Sequence, residues 1–472
     1  MVFSSLTFLC AFLPLVFVLE RACRSVKAKN VVLLVMSLVF YAYGEPALIL
    51  LMLASTYVNY WLGRRIGAAG DVCRKRWMVL AVALNLATLG VFKYAGMLVQ
   101  TLNALLGTHV PDPGIPLPLG ISFYTFQALS YVIDVYRGEV EPQRRYARVL
   151  LYISFFPQLI AGPIVKYHDI ERQMESRAQT WEGTACGLRR FCLGLSKKVL
   201  VADVMAVAAD ALFGLDPTKL SAPAAWLGAF AYLMQIYFDF SAYSDMAIGL
   251  GRMFGFTFKE NFDHPYSSVN VQEFWRRWHM SLSTWLREYL YIPLGGNRRG
   301  KARTVLNRMT VFLLCGLWHG ANWTFVVWGL LHGLALLIEE VVPLKRLPRA
   351  LGHAYTLLFV MLAFVVFRAD TLGQAMAFLQ VMALGWNLDP ASVIPFAEQL
   401  TPLFLATAVV GVLLAGSVPD RVSKALARVA QNRQNGATLL LGCSYVASFA
   451  LLAICFLSLA SGTYSPFIYF RF

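Results

Sequence analysis

The stretch VFLLCGLWHGANWTFVVWGLLHGLALLIE, Val311 to Glu339, limits what this chain can become more than any other. It is almost unbroken apolar sequence and longer than the roughly 20 residues a helix needs to cross the hydrocarbon core of a bilayer. His319 lies inside it, with Trp318, Gly320 and Asn322 around it. A titratable imidazole at such depth is costly unless it faces a cavity or a partner, which makes it a functional candidate. The alternative is a histidine that packs helices by bonding to a neighbouring carbonyl. Both readings stand at this point.

Charged residues are 14% of the chain and hydrophobic ones 58%, against about 25% charged in a soluble domain. The chain is therefore expected to be an all-α polytopic membrane protein whose first partner is the lipid bilayer. Its net charge of +15 suits cytoplasmic loops held against anionic lipid. Nucleic-acid binding is excluded, because no soluble basic domain exists to carry it. The eight cysteines form no CxxC and no Cys/His ligand spacing, so no metal site is expected.

Basic clusters at 21–29, 64–76, 137–148, 166–198, 252–308, 345–349 and 421–433 alternate with loops poor in Lys and Arg at 44–46, 102–118, 214–223 and 368–400. The alternation places the basic loops in the cytoplasm. Arg21, Arg24, Lys27 and Lys29 follow the apolar run Phe8 to Leu19 with no basic residue before it, which predicts a retained span with an outside N-terminus. Spans are expected near 5–20, 30–43, 47–62, 77–99, 119–136, 191–213, 224–251, 351–367, 401–418 and 438–461. Two segments break the alternation. Residues 149–165, interrupted by Pro157, Gly162 and Pro163, read as re-entrant or interfacial. Residues 311–341 read as a hairpin turning near Gly320-Ala321-Asn322. The expected fold is about ten to twelve transmembrane helices plus re-entrant or interfacial ones. It forms a single integral-membrane domain, 1–472, with no separate soluble domain.

Within 252–308, Trp275, Trp278, Leu282, Trp285, Leu286 and Tyr289 recur at helical spacing, with Arg276, Arg277, Thr284, Arg287 and Glu288 on the rest of the wheel. This pattern predicts a Trp-rich amphipathic helix lying in the membrane interface. His279 falls at the edge of the stripe. It is either an ordinary interfacial histidine or a second imidazole looking into the cavity of His319. Gly295, Gly296 and Gly300 beside Arg298, Arg299 and Lys301 can offer backbone N–H groups to a phosphate. Arg276, Arg277, Arg298 and Arg299 are thus candidate contacts for a phosphorylated donor or for lipid headgroups.

Asp239 and Asp245 lie within the apolar stretch YLMQIYFDFSAYSDMAIGLG, each sharing a helix face with Gln235 or Ser241. They are supporting polar groups whose partners are expected to be His279, His319 or an arginine; a polar pair joining helices is the alternative. Asn322 is the third such group. Asp134, Lys93 and Asp203 sit near span ends and are expected to reach the interface. His332, thirteen residues after His319, reads as structural because it falls roughly opposite on one helix.

The WRRWHMSLSTWLREYLYIPLGGN and LWHGANWTFVVWGLLHG stretches resemble the membrane-bound O-acyltransferase (MBOAT) family. FFPQLIAGPIV, PLGISFYTFQALSYVIDVYRG, YFDFSAYSDMAIGLG and the terminal SGTYSPFIYFRF resemble its bacterial exopolysaccharide branch. The resemblance implies that His319 is the catalytic histidine and that His279 is the second one. It implies an enzyme of the bacterial inner membrane, an O-acetyltransferase with no bound cofactor. Acetyl-CoA in the cytoplasm would be its donor substrate, and a periplasmic acetyltransferase and other exopolysaccharide-biosynthesis proteins its partners. The expected polymer is alginate, with cellulose as an alternative. A transporter or a non-catalytic scaffold of an export machine is the competing class. A transporter would show two symmetry-related halves, and none is visible in the sequence.

Overall fold

The computed structural model describes residues 1–342, 348–386, 389–431, 435–462 and 467–468. All regular elements among them are helical. Most of the terminal SGTYSPFIYFRF motif lies outside the described residues, as do parts of the 345–349, 368–400 and 421–433 loops. The chain forms two compact units, Met1–Phe191 with Ser244–Lys259, and Cys192–Tyr243 with Glu260–Phe472.

Among the described residues, five helices are long and apolar enough to cross a membrane: Val26–Gly44, Asp71–Leu106, Trp323–Val341, Arg349–Arg368 and Gly436–Ala460. A sixth follows if the pair Pro390–Gln399 and Pro402–Ala415, bent by 65°, is one broken span. The spans expected at 47–62 and 224–251 lie in the 20-residue helix Ile49–Ala68 and the 32-residue helix Ala222–Met253, while several other apolar stretches fold as shorter pieces. Residues 5–20 become a π-turn, Phe8–Phe12, running into a ten-residue helix, Leu13–Ala22. Residues 191–213 are divided by another π-turn, Lys197–Ala202. The stretch expected at 119–136 is a 17-residue helix, Ile121–Arg137, with thirteen of its residues buried.

In the first unit, the expected re-entrant stretch is two short helices, Tyr146–Ser154 and Phe156–Leu159, that part at Phe155. Every residue from 149 to 165 is buried. Protein covers this irregular backbone, as it must at membrane depth; Phe156 N–H donates to Ser37 Oγ at 3.1 Å. Asp134 and Lys93 do not reach an interface. Asp134 is fully buried and bonded to His168 Nδ1 at 2.9 Å. Lys93 donates to Ser122 Oγ at 2.9 Å. Burial of a charge is tolerable only with such partners.

In the second unit, helices Lys301–His319 and Trp323–Val341 form the expected hairpin, turning through Gly320, Ala321 and Asn322. Asn322 caps the second helix, its side chain accepting from Thr324 N–H at 3.1 Å. Its amide also donates to the Asp370 carbonyl at 2.7 Å. The two helices touch backbone to backbone. A Cβ added at Gly316 would sit 2.3 Å from the Phe325 carbonyl oxygen, and one at Gly329 2.3 Å from that of Phe312.

The Trp-rich stretch is not one interfacial helix. It is two short helices, Val271–Arg277 and Met280–Leu286, and a π-turn, Arg287–Tyr291. Its stripe is buried in protein: Trp275, Trp278, Leu282, Trp285, Leu286 and Tyr289 are each at most 9% exposed. The hairpin supplies the cover, with Trp275 packing on Phe312 and Trp328. It also caps the first short helix, since Glu339 accepts from Val271 N–H at 2.6 Å and Gln272 N–H at 3.0 Å. Two orphan donors at the helix start are satisfied from across the fold.

Gly329→Val should push the hairpin helices apart. Overpacking of this kind costs about 1–3 kcal/mol, so the purified protein should melt several degrees lower. Gly442→Val is the matched control, because no atom lies within 4 Å of a Cβ there.

Candidate active site

His319 ends the first hairpin helix and is 4% exposed. Its ring centroid lies 4.9 Å from Trp318, 5.0 Å from Trp328 and 5.4 Å from Phe367. These three rings wall the imidazole on several sides. Trp318 also packs on His279 at 6.0 Å. One indole therefore touches both histidines singled out in the sequence.

His279 sits at the break between the two short helices, with φ 44° and ψ 53°. A non-glycine residue in the left-handed region is uncommon and is held there by its surroundings. Asn261 does the holding. Its carbonyl oxygen accepts from Met280 N–H at 2.9 Å. Its side-chain oxygen accepts from Ser281 N–H at 3.1 Å and Ser281 Oγ at 2.9 Å. That same amide oxygen lies 3.2 Å from His279 Nδ1. An amide oxygen only accepts, so Nδ1 carries the proton and Nε2 is left with a lone pair. Nε2 has no hydrogen-bond partner among the described residues. Burial drives the imidazole pKa down to about 3, so the ring is neutral near pH 7. Helical periodicity gave no sign of this break; a buried asparagine eighteen residues upstream makes it.

His332 is not opposite His319 on one helix, because the turn at 320–322 places the two on different helices. Its ring packs on Trp328 at 4.8 Å, the tryptophan that also meets His319. Its Nδ1 accepts from Trp275 Nε1–H at 3.1 Å. His332 thus fixes an indole within the same aromatic cluster.

Beside this cluster lies a cavity of about 760 Å³. Trp275, Phe312 and Cys315 form part of its apolar wall, and Ser283, Arg287, Arg308, Glu339 and Glu340 part of its polar lining. Cys315 is one helical turn before His319, and Trp275 carries the bond to His332, so the wall adjoins the histidine cluster. Ser283 Oγ is buried without a hydrogen-bond partner among the described residues. Arg308 pairs with Glu340 at 2.6 Å. Arg287 and Arg308 were not singled out as phosphate contacts in the sequence; their place on the cavity depends on the hairpin.

Two of the four arginines expected at a phosphate stand next to this cavity, in a smaller one that shares Asn270 and Gln272 with it. Arg276 and Arg277 line that smaller cavity, of about 390 Å³, with Asp263 and Glu273. Arg277 is bonded to Glu273 at 3.0 Å. Arg298 and Arg299 are exposed on a turn that needs its glycines, with φ of 107° at Gly295 and 56° at Gly296. Of the intramembrane carboxylates, Asp245 has an arginine as expected, whereas Asp239 has a lysine. Asp239 is 2.9 Å from Lys198, which holds Asp203 at 2.8 Å, and Asp239 accepts from Ile468 N–H at 2.7 Å. Asp203 is accordingly tied inward rather than reaching the interface. Asp245 pairs with Arg190 at 2.7 Å. Asn322 serves as the helix cap described above. Among the described residues, Asp134, Glu139 and His168 bring potential metal-ligand atoms within 4.8 Å of one another, and neither His279 nor His319 takes part.

The sequence profile of MBOAT, the membrane-bound O-acyltransferase family, matches residues 144–367. The chain is 43% identical to the probable alginate O-acetylase AlgI of Pseudomonas putida, over all of both chains. It is 37% identical to the peptidoglycan O-acetyltransferase of Helicobacter pylori, over 81% of this chain and 80% of that one. It is 29% identical to the teichoic acid D-alanyltransferase of Bacillus subtilis, over 55% of this chain and 70% of that one. Full-length similarity at this level, together with a helical membrane fold, makes this chain an acyltransferase of the membrane-bound O-acyltransferase family.

Proposed function

We propose that this protein takes acetyl groups from cytoplasmic acetyl-CoA for the O-acetylation of an exopolysaccharide, alginate foremost. In this reading it sits in the bacterial inner membrane and hands the group on to a periplasmic partner acetyltransferase. The observation that carries it is two buried histidines packed on one indole, Trp318, beside a cavity lined by both arginines and carboxylates. The names of the relatives support the acetyl group and the polymer class.

The chemistry needs a base. An acceptor hydroxyl attacks the thioester carbonyl as His319 takes its proton; the C–S bond then breaks, and the proton returns to the departing thiolate. The products are an acetyl ester and free CoA. From the sequence, His279 was expected to donate to the oxyanion or to hold the donor. A neutral ring whose Nδ1–H is spent on Asn261 offers an acceptor instead. His279 is therefore assigned to orienting the acceptor hydroxyl through Nε2. Arg276, Arg277, Arg298 and Arg299 remain proposed contacts for the donor's phosphates, and Arg287 and Arg308 join them from the cavity.

His319→Gln keeps a polar side chain of similar reach but cannot shuttle a proton. Acetyl transfer by the variant should fall about two to four orders of magnitude at normal membrane abundance. Near-normal transfer would return His319 to helix packing. His332→Ala is unsuitable as a control, since it would release Trp275.

Asn261→Asp preserves an acceptor for His279 Nδ1 but adds a negative charge beside it. A carboxylate there stabilises the imidazolium, so the His279 pKa rises and the neutral form is lost at low pH. The acid limb of the pH–rate profile should move upward, leaving activity at pH 8 less affected than at pH 5. A profile that falls equally at both would exclude His279 from the reaction.

A further inference from the structure

Helix Val418–Gln431 has no buried residue, and every position from 420 to 429 is exposed. Val418, Val422, Leu426 and Val429 are 38%, 51%, 48% and 56% exposed. At positions i, i+4, i+8 and i+11 they make one apolar face. Arg421, Lys424 and Arg428, at i, i+3 and i+7, form the adjoining flank and have no ion pair among the described residues. The one acid within the helix, Asp420, lies in its first turn, 3.9 Å from His264 Nδ1. A 14-residue helix is about 21 Å long, too short to cross the hydrocarbon core.

What covers the apolar face follows from what stands on either side. The preceding helix, Pro402–Ala415, exposes Val409, Val412 and Leu413; the span Gly436–Ala460 exposes Leu439, Val446 and Phe449. Only 6% of that span's apolar window is buried within the protein. These surfaces are solvated by lipid, and the chain between them stays at the boundary of the same lipid. There, a helix with apolar residues on one face and cations on its flank has its side chains at the depths they prefer.

We infer that helix Val418–Gln431 is an interfacial anchor that binds anionic phospholipid headgroups through Arg421, Lys424 and Arg428. This is independent of the acetyl-transfer reading. Each cation near a negatively charged leaflet strengthens membrane binding about fivefold, and the effect decays within a Debye length.

Hydrogen exchange of the full-length protein in nanodiscs tests this. Discs of phosphatidylcholine alone are compared with discs containing added phosphatidylglycerol. Amides of 418–431 should exchange about tenfold more slowly in the anionic discs. The combined variant Arg421→Gln, Lys424→Gln, Arg428→Gln should erase the difference, whereas Arg421→Lys with Arg428→Lys should keep it. Exchange in the span 436–460, unchanged throughout, reports an intact fold. High salt on the unmodified protein should remove the protection without any mutation. Protection that is the same in both lipid compositions overturns the inference. So does protection that rises with protein density in the disc, which would mark a second copy on this face.

Discussion

Direct contact between the backbones of Lys301–His319 and Trp323–Val341 determines where the rest of the candidate site can stand. Gly316 and Gly329 let the two helices meet without side chains between them. Trp318, Trp328 and His332 are thereby drawn into one cluster around His319. Because lipid gives helices no hydrophobic reason to associate, packing of this closeness is a main source of their attraction. The hairpin then organises its neighbour: Glu339 caps helix Val271–Arg277, and Trp275 docks against Phe312 and Trp328. His279 stands just after that docked helix, at the break that Asn261 holds.

The polar groups of this apolar chain obey one constraint in two ways. Some are satisfied by each other. Lys198 lies between Asp203 and Asp239, and Asp134 is held by His168. Burial of these charges is offset by their partners, and removing one member would strand the other. His279 is treated differently. One nitrogen is fully used and the other lacks a partner among the described residues. A neutral lone pair in a dry aromatic pocket is inexpensive to bury compared with a charge, and it is the form in which an imidazole handles a proton. The contrast between paired charges and a half-used histidine is why chemistry is assigned to the histidines rather than to the carboxylates.

Much of this was legible in the chain. Composition gave the membrane class, and the polar turn inside an apolar run gave the hairpin. The interruption by Pro157, Gly162 and Pro163 gave the covered irregular segment. Other features depend on contacts that no local pattern carries. Helical spacing of tryptophans describes equally well one long helix and two short ones, so the break at His279 was invisible without Asn261. Asp239 and Asp245 were correctly marked as needing partners, but periodicity cannot choose between a histidine, a lysine and an arginine. The π-turns and short helices that divide some apolar stretches were not legible, because hydropathy averages over such breaks.

If the cavity beside Trp275 and the histidines at Trp318 form one acyl-transfer site, a bound donor has to reach both. A cryo-EM structure with a non-hydrolysable acetyl-CoA analogue tests it directly. The analogue's carbonyl is expected within hydrogen-bond reach of an acceptor position between His279 Nε2 and His319, with its phosphates against Arg287 or Arg308. An analogue bound with its carbonyl away from both imidazoles would mean that the cavity and the histidines are not one site.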